Sequence, residues 1–239
     1  MASACVCGDY FTVGDDGELC LIPGTMGLRQ IVVFDEPGAS QFVTADYPWL
    51  ARIRVHAQGG GGGSGGADAT PDQCVARPGG AGGGQVTSLI EASALGAVET
   101  VVVGAGGTAG SGNQAGGAGD TSSFGGFVVA PGGTGGTITI ASGAIVTVAT
   151  GPSGPAGGTG QIITSGGNGE GAFRLSGTAG MSGQGGDSRF GYGGTGRAVE
   201  GAGTHPRGHG AGAGGALSYG AAFDGAAGGD GIVVVELYG

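Results

Sequence analysis

The chain has 239 residues, of which 65 are Gly, and its formal net charge is −10. Charged residues make up 11% of the sequence, against about 25% in ordinary domains. Because all eight basic residues are Arg, the sequence lacks the lysine that a P-loop uses to bind phosphate, and the acidic balance argues against a nucleic-acid-binding surface. Collagen is excluded as well, since only nine residues are Pro and glycine shows no strict triplet repeat.

Glycine is distributed unevenly along the chain. Residues 1–58 contain 6 Gly, whereas residues 59–239 contain 59. We therefore divide the sequence into an N-terminal β-rich attachment region, 1–58, and a glycine-rich distal body of β and polyglycine segments, 59–239. Met1–Asp9 carries no basic residue and no apolar stretch follows it, so no signal peptide is expected, and no segment is apolar enough for membrane insertion.

The N-terminal region alternates short apolar stretches with turn residues. Gly14–Gly17 and Asp35–Gly38 are clusters of Gly, Asp and Pro typical of turns. Leu50–Ala57 alternates apolar and polar residues, the pattern of a half-buried strand. The strands predicted beside the two turn clusters are Asp9–Val13 and Glu18–Ile22, then Arg29–Phe34 and Ser40–Ala45.

Strand-like islands rich in Thr and β-branched residues emerge from the glycine-rich remainder. Ser88–Val98 is the best helix candidate, although Gly96 weakens it. The predicted fold class is therefore mainly β: short strands with glycine-rich, polyglycine-II-like segments and little or no helix. The predicted islands are Gln85–Ile90, Val98–Val103, Phe124–Ala130, Thr137–Thr150, Gln161–Thr164 and Ile232–Tyr238.

Ordering so many glycines costs a large amount of backbone conformational entropy. This cost must be offset by a kind of packing that only glycine permits. Chains without side chains can approach closely in polyproline-II-like packing, joined by N–H···O and weaker Cα–H···O contacts. The alternative is a β domain with flexible glycine linkers. Recurrent Ile, Val and Phe in the region favour ordered packing. Spacings of three at Gly151–Gly160 and Gly177–Gly186 are no more frequent than chance predicts.

The order of several segments resembles glycine-rich tail proteins of bacteriophages, in which an aromatic-anchored strand runs into a polyglycine block. The N-terminal Cys5-Val6-Cys7-Gly8-Asp9 is similar to the start of minor tail proteins of actinobacterial phages. The segments that carry the resemblance are Tyr47–Leu50, Ala51–Gln58, Gly59–Gly66, Thr100–Gly107, Gly117–Gly126, Pro131–Gly136 and Gly231–Tyr238.

The resemblance implies a virion protein of the tail tip or tail fibre that contributes to host-surface attachment. It implies a homotrimer whose residues 1–58 contact other tail proteins and whose distal body contacts a host glycan or envelope component, without nucleic acid, cofactor or membrane insertion. Two alternatives stay open. One is a purely structural virion part, such as a head decoration or tail plug; the other is a non-viral glycine-rich surface or ice-binding protein.

Candidate receptor-contacting residues are Arg, His and aromatic side chains concentrated late in the sequence. Such side chains in loops on a rigid scaffold are common in carbohydrate and protein contacts. Ordinary loop packing is the alternative reading. Tyr47 and Trp49 are predicted as structural anchors for the strand that follows them. The candidate contact residues are Tyr192, Arg197, His205, Arg207, His209, Tyr219 and Phe223.

No catalytic or cofactor motif is persuasive. Val101–Ala109 imitates a dinucleotide fingerprint, but the Gly-rich residues after it cannot form the helix that the motif requires. No nucleophile elbow, HExxH motif or carboxylate spacing supports an enzyme, and the expectation is a non-enzymatic protein. The four cysteines leave zinc, a disulfide and free thiols open: Cys5, Cys7, Cys20 and Cys74.

Overall fold

The computed structural model describes residues 11–15, 17–22 and 27–239. In this part of the chain the fold is mainly β, as predicted, and all strand pairs between named strands are antiparallel. Helical structure there is confined to two short 3-10 turns, Thr44–Asp46 and Ala92–Ala94. The strands are β1 (Phe11–Val13), β2 (Leu19–Leu21), β3 (Leu28–Phe34), β4 (Gly38–Val43), β5 (Arg52–Gln58), β6 (Ala67–Asp68), β7 (Val75–Ala76), β8 (Gln85–Glu91), β9 (Val98–Val103), β10 (Ser122–Phe124), β11 (Val128–Ala130), β12 (Thr147–Ala149), β13 (Ile162–Thr164), β14 (Ala172–Ser176), β15 (Ala179–Met181), β16 (Phe190–Tyr192), β17 (Arg207–His209), β18 (Leu217–Ser218), β19 (Ala222–Phe223) and β20 (Ile232–Tyr238).

Two sheets share the largest hydrophobic core. The five-stranded sheet has the order β13-β8-β5-β20-β3, and the four-stranded sheet has the order β11-β10-β9-β4. Alternation of side chains buries Ile53, Val55 and Ala57 of β5 in this core, where they join apolar residues of β20 and of the second sheet. Strands from both compositional regions therefore build one sandwich, and the division at residues 58 and 59 is crossed by strand pairing.

Several predicted strands are confirmed, and others need correction. Gln85–Ile90, Val98–Val103, Gln161–Thr164 and Ile232–Tyr238 correspond to β8, β9, β13 and β20. The island Phe124–Ala130 is not one strand: it contains the last residue of β10, a turn at 125–127 and the whole of β11, which pairs with β10 as a hairpin. In the island 137–150 the named strand is β12 alone. The helix candidate 88–98 is extended in β8 and β9 with a 3-10 turn between them, because sheet pairing overrides its local propensity.

The N-terminal strands pair differently from one another. β1 and β2 form the predicted hairpin, with Val13 opposite Leu19. β3 and β4 also form, but they do not pair with each other: β3 pairs with β20 in one sheet, and β4 pairs with β9 in the other. The turn cluster at 35–38 therefore carries the chain from one layer of the sandwich to the other.

The glycine segment 59–66 continues from β5 into the interior and is buried throughout. Its successive amide groups donate hydrogen bonds in three directions. Every third amide donates to the same neighbour: Gly59 N and Gly62 N donate to the segment 79–84. The amides one and two residues further along donate to the segments 114–120 and 225–231, respectively. The bonds are Gly59 N to Gly84 O, Gly60 N to Asp120 O, Gly61 N to Gly229 O, Gly62 N to Ala81 O, Gly63 N to Gly117 O, Ser64 N to Ala226 O and Gly66 N to Gln114 O.

The same segment accepts hydrogen bonds from three further neighbours. Gly107 N and Gly110 N donate to Gly61 O and Ser64 O. The segment 131–136 donates to Gly60 O and Gly63 O, and the segment 210–213 donates to Gly62 O. Within the described residues, 59–66 is thus surrounded by six segments. A repeat of three residues and six neighbours is the packing of polyglycine-II-like helices, which have three residues per turn.

Five of the six surrounding segments are continuations of the sandwich strands, and the sixth, 210–213, follows β17. The segments 104–110 and 131–136 follow β9 and β11, whereas 79–84, 114–120 and 225–231 precede β8, β10 and β20. The sandwich strands therefore fix one end of each of these five segments. We call this region the glycine lattice.

Close backbone approach excludes side chains at the glycine positions of the central segment, where Ser64 alone carries a buried side chain. A Cβ atom on Gly61 would lie 2.0 Å from Ala211 O, and one on Gly62 would lie 2.1 Å from Thr134 O. Consecutive residues would thus collide with different neighbours. The lattice therefore needs glycine at successive positions, and the glycine density of the sequence follows from this packing.

The spaced glycines of the sequence are only partly in the lattice. Gly183 and Gly186 donate to Arg77 O and Gly80 O. In contrast, Gly157 has a φ of +97° and belongs to a turn, and Gly180 lies in β15. The period of three is a property of the hydrogen bonds, whose donors and acceptors lie far apart in the sequence.

Two arginines are buried away from solvent. Arg77 is 1% exposed and donates to Gly66 O at 2.7 Å, Ile140 O at 2.8 Å and Asn113 Oδ1 at 2.6 Å. Burial lowers its pKa to about 10. Arg174 likewise donates to Cys74 O and Ile145 O. These guanidinium groups join backbone carbonyls of separate loops, so they act as internal cross-links.

Candidate functional site

Three of the predicted contact residues lie together on the two-stranded sheet of β16 and β17. Tyr192 is opposite Arg207, and Phe190 is opposite His209. Tyr192 is 70% exposed, and Arg207 is exposed as well. This sheet lies beside the junction between the sandwich and the glycine lattice, because Arg189 N contacts Gln58 Oε1 at 3.3 Å.

The other four predicted contact residues do not join this surface. Tyr219 is partly buried, exchanging hydrogen bonds between its hydroxyl and the backbone of Gly180, and burial is the main cause that raises its pKa. Phe223 packs against a small core that includes Ala67. Their aromatic rings are therefore used mainly for packing.

Arg197 and His205 lie in the long loop between β16 and β17. Arg197 N donates to Ser182 Oγ at 2.8 Å, and its guanidinium donates to Ala202 O, which fixes the loop on itself. His205 is exposed. The seven predicted residues are thus divided among a surface, a loop and two packed positions.

Tyr47 and Trp49 pack on the sandwich core. The Tyr47 ring stacks on Phe42 with a centroid distance of 5.2 Å and contacts Trp49 edge-on at 6.0 Å. The guanidinium of Arg29 lies 4.2 Å from the centroid of the Trp49 ring. These rings close the end of the sandwich immediately before β5.

A set of adjoining grooves surrounds Arg189. The largest, of about 530 Å³, is formed by residues 187–192 together with Arg207 and Gly208. The neighbouring grooves extend over the outer face of the five-stranded sheet and also contact Arg189. We call this surface the junction groove; its charged and aromatic residues include Arg54, His56, Asp187, Arg189, Tyr192, Arg207 and Glu236.

Strand alternation brings Arg54, His56 and Glu236 together on the sheet. Glu236 lies 3.8 Å from Arg54 Nη1 and 3.6 Å from His56 Nε2, while His56 Nδ1 is 2.9 Å from Thr87 Oγ1. Burial lowers the pKa of His56; Glu236 opposes this shift, and Arg54 and Arg189 reinforce it. On balance the surroundings of His56 lower its pKa and so favour the neutral imidazole.

Two arginines of the junction groove have guanidinium groups that contact no partner among the described residues. Among the described residues, the guanidinium groups of Arg189 and Arg207 have no hydrogen-bond or ion-pair partner, although the chain carries a net charge of −10. Asp187 accepts a hydrogen bond from Gly193 N at 2.7 Å. The groove thus offers free cationic donors beside an exposed tyrosine ring.

The groove is built on rigid supports. Gln58 is fully buried, and its Nε2 donates to Gly83 O at 2.7 Å and Gly84 O at 3.1 Å. Ser188 Oγ donates to His209 O, which closes the base of the β16–β17 sheet. The backbone that carries Arg189 is therefore attached to the glycine lattice through the side chain of Gln58.

Sequence reasoning missed Arg54, His56, Arg189 and Glu236. The first two are among the polar positions of the alternating stretch 50–57, and alternation alone places them on the outer face of β5. Nothing local indicates that β20 brings Glu236 beside them or that Arg189 lies across the groove.

The cysteines do not form a cluster in the described residues. Cys20 is an exposed free thiol, and Cys74 is a buried one whose pKa is raised by burial. The predicted alternatives that involve Cys5 and Cys7 lie outside the described residues. In the described ranges no group of His, Cys, Asp and Glu residues has the arrangement of a metal site.

The architecture defines a class of protein: an antiparallel β-sandwich whose strands run on into a polyglycine-II-like lattice. A family model described as a glycine-rich domain matches residues 37–238. The chain therefore belongs to this glycine-rich domain family. No curated protein matches the sequence. In the described part of the chain, no helix has the length and apolar character to span a membrane.

Proposed function

We propose that the protein is a structural and adhesive component of a bacteriophage tail tip or tail fibre. The order of the aromatic-anchored strand, the polyglycine block and the closing strand resembles phage tail proteins. The observation that carries the proposal is the glycine lattice, in which 59–66 is hydrogen-bonded to six neighbouring segments, five of them continuations of the sandwich strands. Such a lattice is a stiff support that exposes few reactive groups.

The junction groove is the surface proposed to contact the host. It carries the exposed Tyr192 and Arg207 on a sheet fixed to the lattice, an arrangement that presents loop side chains without flexible linkers. Several copies on one particle raise avidity, so each contact can be weak. Residues 1–58 are proposed to contact other tail proteins.

The location is tested by immunogold labelling of virions of the encoding phage with antibodies against the purified protein. Gold at the end of the tail is expected. Gold on the head indicates a decoration protein instead, and unlabelled virions support a non-viral surface protein.

The adhesive role is tested separately by binding of the labelled protein to host cells. A Tyr192→Ala, Arg207→Gln double variant is expected to lose at least about tenfold in binding, because both side chains are exposed and unconnected to the core. Arg29→Gln, which removes the same charge beside Trp49, is the matched control. Equal binding by the double variant and the wild type favours the purely structural role.

We also propose that the protein assembles as a homotrimer. The three-stranded sheet β12-β14-β15 exposes Val148, Phe173 and Met181, which lie in one cross-strand row with exposed fractions of 76%, 36% and 42%. Apolar patches mark interaction surfaces, and an uncharged face is where copies with a net charge of −10 repel each other least.

Light scattering coupled to size exclusion tests this assembly. We expect three times the chain mass for the wild type and the single-chain mass for Phe173→Asp. Val199→Asp, at a position that is 72% exposed in a loop, is the control and should stay trimeric. A monomeric wild type contradicts the trimer, and a trimeric Phe173→Asp contradicts the use of this face.

A further inference from the structure

We propose that the junction groove binds an anionic saccharide, a sugar unit bearing a carboxylate, sulfate or phosphate group. The inference rests on the proposed attachment function for its setting and names the chemical class of the ligand. It depends on the juxtaposition of Arg189 and Arg207 with Tyr192 in adjoining grooves.

Charge argues for an anionic group. Arg77 and Arg174 are consumed by buried backbone contacts, whereas Arg189 and Arg207 have no partner in the described residues. Arg54 adds a third guanidinium at the far side, shared with Glu236 at 3.8 Å. Guanidinium groups bind carboxylate, sulfate and phosphate oxygens through paired N–H donors.

The remaining lining argues for a sugar on which this anion is carried. Tyr192 presents an apolar ring with a polar tip to solvent, a surface on which a sugar face can pack. Asp187 and Glu236 are carboxylate acceptors in the same grooves. A groove with both donors and acceptors matches hydroxyl groups, which both give and receive hydrogen bonds.

A nucleic acid is a poorer match for the same surface. Long polyanions need a basic stripe that neutralises many phosphates, whereas this groove lies on a chain with a net charge of −10 and includes two carboxylates. A short saccharide can contact Arg54, Arg189 and Arg207 without extending beyond the groove onto the rest of this acidic chain. The occupant is therefore an oligosaccharide with isolated charges.

The test is titration calorimetry of the full-length protein with a hyaluronan oligosaccharide, which carries one carboxylate in each repeating unit. A neutral dextran oligosaccharide of equal length, inorganic sulfate and a single-stranded oligonucleotide are the comparison probes. Hyaluronan is expected to bind and dextran is not. Binding is expected to weaken as salt is raised, since the contacts are solvent-exposed ion pairs.

Arg189→Gln and Arg207→Gln are each expected to weaken hyaluronan binding by about tenfold, whereas Arg29→Gln should leave it unchanged. The proposal is overturned if hyaluronan does not bind, if dextran binds equally strongly, or if the oligonucleotide is preferred. It is also overturned if the protein binds inorganic sulfate but not hyaluronan. Cell binding without hyaluronan binding leaves the attachment function standing; hyaluronan binding by a protein absent from virions removes the attachment function and keeps the site.

Discussion

The packing of the glycine lattice at Gly62 leaves no room for a methyl group. The Cβ of Gly62→Ala would meet Thr134 O at 2.1 Å, so the backbone of a neighbouring segment must move. We expect the free energy of unfolding to fall by about 3 kcal/mol, since a rigid backbone rather than a side chain opposes the new atom. Denaturant titration measures the change.

Gly126→Ala is the control for this substitution. Gly126 has nothing within 4 Å of its added Cβ and no positive φ, so alanine should cost nothing there or stabilise by up to about 1 kcal/mol. Equal stability of the two variants would show that Gly62 is not tightly packed.

His56 predicts a pH dependence of stability. Because burial holds its folded-state pKa below the ordinary 6.5, the unfolded chain binds the proton more readily, and the stability associated with neutral His56 is lost as pH falls below that value. Glu236 on β20 reduces the shift, and Arg54 and Arg189 add to it.

The measurement is thermal unfolding of the wild type and His56→Gln between about pH 7 and about pH 5. Glutamine keeps a polar group beside Thr87 but does not titrate. We expect the wild type to lose more stability than the variant across this interval. Parallel curves contradict the assignment.

At the scale of elements, the junction between strand and lattice is fixed by Gln58. Its Nε2 donates to Gly83 O and Gly84 O, and its Oε1 faces Arg189 N. In Gln58→Glu, an ionised carboxylate would face two carbonyl oxygens in a buried position. We expect a loss of about 3 kcal/mol near pH 8, because a charge is then desolvated with one of its oxygens facing two carbonyl acceptors.

The loss for Gln58→Glu should be smaller near pH 5. The carboxyl pKa is raised when burial and neighbouring carbonyls disfavour the anion, and a protonated glutamate can donate one of the lost bonds. Stability therefore falls as pH rises through the raised pKa. Denaturation at about pH 5 and about pH 8, with Gln161→Glu on the exposed edge as control, tests this; a pH-independent loss contradicts it.

Most strands of the sandwich were predictable because they are local patterns. Alternation in 50–57 and the apolar stretch 232–238 correspond directly to β5 and β20. For the glycine lattice, the sequence predicted close packing of glycine segments but not which segments are neighbours. Its bonds join residues as distant as Gly61 and Gly229, and glycine carries no side-chain pattern that specifies a partner.

The candidate site was predictable only in part for the same reason. Tyr192 and Arg207 were visible as exposed-type residues in a glycine-rich stretch, and pairing of β16 with β17 brings them together. Tyr219 and Phe223 have the same composition but face small cores, which burial alone reveals. Glu236 enters the site through the register of β20 on β5.

At the scale of the whole molecule, the sandwich and the lattice form one continuous framework. The sandwich strands fix one end of five of the six glycine segments around 59–66, and the lattice in turn holds the backbone of Arg189 through Gln58. This arrangement explains why a chain with 65 glycines can order: each segment gains hydrogen bonds to several neighbours at once.

Amide hydrogen exchange across Gly59–Gly66 tests the central claim most directly. These amides donate to acceptors in three different segments and are buried, so we expect protection comparable to that of β5 and β20 and well above that of the exposed loop residues 198–200. Exchange of 59–66 as fast as that loop would contradict the lattice and leave the glycine segments as linkers.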